Sequence, residues 1–73
     1  MSSILHIRTL TGSTLTILIS NNANILMLKN LISHKTQQTI HLQRIILNSE
    51  TQQNHVRIQP TGHYVLIIDK KKL

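Results

Sequence analysis

The segment Ile4 to Ser20, ILHIRTLTGSTLTILIS, constrains this chain more than any other, because apolar and polar residues alternate on both sides of Thr11-Gly12. Period-2 alternation marks half-buried strands, so the segment reads as two strands folded back on each other. Leu5 and Ile7 of the first strand and Leu15, Ile17 and Ile19 of the second are predicted to share one face. His6, Arg8, Thr14 and Thr16 then fall on the other. Gly12 supplies the positive φ that so short a turn needs, with a bulge beside it.

Asn21-Asn22-Ala23-Asn24 interrupts the strand pattern, and Asn24 is placed to cap the first turn of a helix over about Ile25 to Lys35. Ile25, Leu28 and Ile32, spaced i, i+3, i+7, form one apolar stripe to lie across the hairpin. Leu26, Met27 and Leu31 lie off that stripe, either as harmless drift or as a second contact surface. The connection Thr36 to His41 contains no glycine to end the helix in a left-handed conformation, so its end must form at some conformational cost or with altered geometry. Leu42 to Leu47 reads as a third strand, with Ile45 inward and Ile46 outward, and Asn48 suits a left-handed turn. Ser49 to Arg57 offers little to bury and is expected to be the weakest part of the fold. Val56 and Ile58 should close the bottom of the core. Pro60-Thr61-Gly62 should turn the chain into a last strand, Tyr64 to Ile68, beside the first. On it Tyr64 and Leu66 point in, Val65 and Ile67 out.

With 73 residues the chain has room for one domain with a small core, residues 1–69, followed by a basic tail, residues 70–73. The absence of cysteine excludes disulfides and thiolate metal sites. The longest apolar runs, Ile25 to Leu28 and Val65 to Ile68, fall far below the roughly 18 residues of a membrane span, and the N-terminus lacks a signal-peptide core. An intracellular protein, cytoplasmic or nuclear and without a membrane partner, is the expectation. The formal charge of +6 sets eight Lys and Arg against only Glu50 and Asp69. Lys70, Lys71 and Lys72 sit together, whereas Arg8, Lys29, Lys35, Arg44 and Arg57 are scattered. Such a charge suits nucleic acid, yet the single aromatic residue, Tyr64, gives no base-stacking platform. The five histidines, His6, His34, His41, His55 and His63, show no ligand or triad spacing, and two glycines exclude a phosphate-cradling loop. No catalytic residue, metal site or cofactor is expected.

TLTGST between the first two strands, Leu28-Lys29 with Ile32 on the helix, and Gln43-Arg44-Ile45-Ile46 on the third strand resemble, in register, the ubiquitin-like family. The match runs without a gap from about Leu5 to Asn48 and resumes from about Ile58 to Ile68. It implies an α+β chain with a ubiquitin-like β-grasp, a mixed, four- to five-stranded sheet with one helix packed across it. It further implies an apolar partner-binding patch at Leu10, Ile46, Val65 and Ile67, with Val65 standing where the family's patch histidine does. Arg44, Glu50 and Asp69 would form its rim, the two acids replacing basic residues. Receptors that present acidic groups to ubiquitin's rim are therefore not the expected partners. Leu26, Met27 and Leu31 occupy positions that are polar in the family, Gln37 stands where its helix usually ends in glycine, and Gln52 and Gln53 replace its leucines. Lys29 matches a semi-buried lysine that pairs with a carboxylate, so its charge should be met by carbonyls or by Glu50.

The chain ends Asp69-Lys70-Lys71-Lys72-Leu73 where the family has its diglycine, so conjugation by the usual Gly-Gly route is not expected. The resemblance thus implies a protein-interaction module or modifier, recognised non-covalently by other proteins, with weak self-association through the helix face. One alternative is a ubiquitin-like domain of a polyprotein, released or attached by flanking intein-like domains. A second is a small basic nucleic-acid-binding domain.

Overall fold

In the computed structural model, which describes residues 1–69, the N-terminal alternation becomes an antiparallel hairpin of β1 (Ser2–Thr9) and β2 (Thr14–Ser20). The register sets Leu5 opposite Ile17 and Ile7 opposite Leu15, which puts the predicted face inward. Gly12, at φ 89°, donates its N–H to the Thr9 carbonyl at 3.1 Å, and Thr9 N–H donates to the Ser13 carbonyl at 2.9 Å. A glycine in the left-handed position is what such a bulged turn requires.

Helix α1 (Ile25–Thr36) starts where the cap is expected, with the Asn24 side-chain carbonyl accepting from Met27 N–H at 3.0 Å. Two further N–H groups of its first turn leave the helix for a loop: Ile25 donates to the Val56 carbonyl at 2.8 Å and Leu26 to that of Asn54 at 3.0 Å. This gives the polar stretch after β3 an anchor that its side chains do not supply. At the other end Gln37 adopts φ 64°, ψ 19°, and its N–H donates to the Ser33 carbonyl at 2.8 Å. The Gln37 side-chain amide, donating to the His34 carbonyl at 3.2 Å, offsets part of the cost of that conformation.

A single 3₁₀ turn, Ile40–Leu42, leads into β3 (Gln43–Leu47), so this strand begins one residue later than its apolar pattern suggests. Asn48 and Ser49, at φ 52° and 70°, reverse the chain into a two-residue strand, β4 (Glu50–Thr51). The segment expected to be the weakest part of the fold therefore supplies the short strand at one edge of the sheet. With β5 (Tyr64–Ile68) the strand order is β2-β1-β5-β3-β4. The central β1–β5 pair is parallel and the other pairs antiparallel, giving a small α+β fold of one mixed five-stranded sheet and one helix.

Ile25, Leu28 and Ile32 pack on Leu5, Ile7, Ile17, Ile19, Ile45 and Leu66, and Ile58 closes the core as expected. One polar side chain is buried with them. Gln43 donates from Nε2 to the Lys29 carbonyl at 3.1 Å and the Gln38 carbonyl at 3.4 Å, tying β3 to the helix, while its Oε1 has no protein partner. The Tyr64 hydroxyl accepts from Gln59 N–H at 2.7 Å, which fixes the turn before β5 from inside. In that turn a Cβ on Gly62 would come within 2.6 Å of Leu47 Cδ1, so a larger residue there would have to push that methyl aside. Of the two partners expected for Lys29, a carbonyl or Glu50, the fold supplies the carbonyl: its Nζ donates to the side-chain carbonyl of Asn54, Oδ1, at 2.7 Å. The basic tail, residues 70–73, lies outside the described residues.

Candidate interaction surfaces

The face of the sheet away from the helix is assembled by pairing between strands distant in sequence. Ile46 on β3 lies opposite Val65 on β5, and Arg44 lies opposite Ile67. Because side chains alternate along a strand, Ile46, Val65 and Ile67 stand together on that outer face. Each is half-buried, so the patch is a shallow apolar strip flanked by polar side chains.

Leu10 stands just outside the paired strands, at the hairpin turn. Leu10 is 72% exposed and lines a hollow of about 380 Å³ with Leu15, Leu66 and Ile68, between the hairpin tip and the C-terminal end of α1. Leu15, Leu66 and Ile68 are inward-facing positions of their strands, so Leu10 borders an apolar hollow on the helix side of the sheet.

The rim also differs from a reading of residues one at a time. Arg44 Nη2 donates to Asp69 Oδ2 at 3.3 Å, so one expected acid is answered by the expected base. With their side chains 48% and 42% exposed, the pair sits in high dielectric, where such bridges contribute between about 0 and 1 kcal/mol. Its consequence is electrostatic: the two charges largely cancel at this end of the strip. Glu50 lies opposite Leu47, and Thr51 is the residue beside Ile46.

Leu26, Met27 and Leu31 are exposed on α1, off the stripe formed by Ile25, Leu28 and Ile32. Sequence reasoning missed a further apolar pair, Ile4 and Leu18, which face each other across β1 and β2 at 57% and 67% exposure. The signal was present in Ile17-Leu18-Ile19: in a strand, three consecutive apolar residues with the outer two buried must send the middle one outward. Among the histidines, the fold brings His6 and His63 to one recess. Among the described residues no group of three or more His, Cys, Asp or Glu is arranged to hold a metal ion, and no helix is long and apolar enough to cross a membrane.

Comparison with known proteins adds to the fold. No family model matches the chain, and no curated protein matches it in sequence. A solved structure of ATBAG1 in complex with HSP70 superposes on 92% of this chain with a TM-score of 0.82 and 18% identity. The superposed region spans 40% of that chain. At such identity the likeness is one of fold. Since 220 solved chains match in structure, the architecture is a shared one and does not by itself assign a role.

Proposed function

We propose that this chain is a ubiquitin-like β-grasp module that works by non-covalent recognition of a protein partner through the outer face of β3 and β5. The strand order β2-β1-β5-β3-β4, with its parallel centre and a helix between the second and third strands, supports the family resemblance carried by TLTGST and Gln43-Arg44-Ile45-Ile46. The observation that carries the function is the strip of Ile46, Val65 and Ile67, gathered by two adjacent strands on the face opposite the packed helix. Apolar side chains grouped on an exposed face mark interaction sites more often than chance scatter does. That ATBAG1 is seen in complex with HSP70 supports a protein as the class of partner.

The test is a titration of the isotope-labelled protein with a synthetic amphipathic helix whose apolar residues recur every fourth position. Amide shifts centred on Ile46, Val65 and Ile67, lost in the double variant Ile46→Ala, Val65→Ala with its fold intact, are the expected result. Shifts elsewhere, or shifts unchanged in the variant, would overturn the assignment.

A further inference from the structure

Beside the apolar strip, toward the hairpin edge of the same face, lies a recess of about 310 Å³ lined by His6, Arg8, Thr14, His63, Tyr64 and Val65. Three separate parts of the chain build it. The parallel pairing of Ile7 with Tyr64 puts His6 and His63 one residue back on neighbouring segments, and Arg8 lies between Thr14 on one side and Val65 on the other. Two imidazoles, a guanidinium and a hydroxyl therefore converge.

Among the described residues no side-chain carboxylate answers them. Asp69 is engaged by Arg44 and lies four residues beyond Val65, roughly 13 Å along the strand. Glu50 is on β4, at the opposite edge of the sheet. β2 contributes only uncharged groups here, Thr14 and Thr16, the latter with its hydroxyl 3.4 Å from His6 Nδ1. Tyr64 turns its hydroxyl away to Gln59 N–H. Among the described residues Arg8 forms no ion pair. Grouped basic side chains repel one another as the imidazoles charge, and an anion set among them turns each repulsion into an attraction. A protonated imidazole is a cation and a neutral one is not, so the attraction for an anion grows with protonation of the rings.

We propose that His6, Arg8 and His63 form an oxyanion site that takes a phosphoryl or carboxylate group of the partner docked on the adjacent strip, holding it more tightly at lower pH. The partner's identity as a protein rests on the function proposed above; the site itself does not.

The first arm titrates the labelled protein with sodium sulfate at constant ionic strength, because sulfate stays doubly charged from mildly acidic to mildly alkaline solution and any pH dependence then belongs to the protein. Saturable shifts confined to His6, Arg8, Thr14, His63 and Val65 are expected, with affinity higher in mildly acidic than in mildly alkaline solution. The double variant His6→Gln, His63→Gln should keep its fold and lose the pH dependence, and Arg8→Gln should weaken binding at both pH values. Shifts spread evenly over Lys29, Lys35 and Arg57, or a response unchanged by these variants, would overturn the site. The second arm adds phosphoserine, glutamate or glutamine beside the apolar residues of the amphipathic helix. Tighter binding of the phosphoserine or the glutamate peptide supports the site and tells which oxyanion it takes, whereas equal affinity for all three overturns it. If sulfate fails while the helix still shifts Ile46, Val65 and Ile67, the oxyanion site falls and the strip stands.

Discussion

Gln37 holds a backbone conformation, φ 64°, that glycine reaches at no steric cost and other L-residues reach at roughly 1–2 kcal/mol. Gln37→Gly should therefore stabilise the fold by about 0.5–1 kcal/mol, part of the gain being lost to the freer unfolded chain. A rise of a few degrees in the thermal midpoint, followed by circular dichroism, checks it. Ser49, at φ 70° after Asn48 at 52°, makes the same case, since paired positive φ values favour Asn-Gly in a two-residue hairpin turn. Tyr64→Phe acts the other way, because it leaves the Gln59 N–H without its acceptor. A loss of about 1–2 kcal/mol, seen as a lower urea midpoint with unchanged slope, is expected. Lys29 supplies a pH dependence. Burial holds its pKa below the ordinary value of 10.5, so between the lowered value and 10.5 the unfolded chain binds more protons than the folded one. Stability from this group rises with pH through that window and is diminished below it. Lys29→Met should flatten the rise in urea midpoints measured at alkaline pH, and an unchanged slope in the variant would assign it to another group.

At the level of elements, β2 is the exposed edge of the sheet. Its sequence, TLTILIS, carries neither charge nor proline, two common guards against edge-to-edge pairing. The bonds Asn21 N–H to the Met1 carbonyl and Thr9 N–H to the Ser13 carbonyl set the alternation at its two ends. The backbone groups of Thr14, Thr16 and Leu18 therefore face outward. Lys35 reaches over from the last turn of α1 and donates to the Thr16 carbonyl at 2.8 Å, so the helix guards the edge that the strand leaves bare. Lys35→Ala should change stability by no more than about 1 kcal/mol while raising concentration-dependent association in sedimentation, with Lys35→Arg restoring the native behaviour. Association that is equal in the parent and the alanine variant would deny Lys35 this role.

For the molecule as a whole, the helix shows apolar groups on both sides, Ile25, Leu28 and Ile32 to the core and Leu26, Met27 and Leu31 to solvent. A formal charge of +6 opposes self-association, and salt screens that repulsion, so contact through the solvent side should strengthen as ionic strength rises. Leu26→Glu with Leu31→Lys should leave the unfolding midpoint nearly unchanged and lower the weight-average mass at high salt. An unchanged mass would show that this face takes no part. The outer sheet face presents its own sequence of chemistries: the apolar pair Ile4 and Leu18, then the basic recess, then the strip, then the Arg44–Asp69 bridge.

Local patterns determined what local physics controls. The period of two in Leu5, Ile7, Leu15, Ile17 and Ile19, the i, i+3, i+7 stripe of the helix, the Asn24 cap and the inward or outward sense of Ile45, Ile46 and Tyr64 to Ile67 all follow from residues within a few positions of one another. The neighbours across the sheet do not. That β5 enters between β1 and β3 decides that His6 meets His63 and that Ile46 meets Val65. The fold likewise decides that Asp69 is answered by Arg44, that Lys29 finds Asn54, and that Leu10 overhangs a hollow with Leu66 and Ile68. These contacts depend on how loops close and how strands pair over long separations in the chain. Burial of a common core selects that arrangement only when the elements pack together, so periodicity within each element carries no record of it.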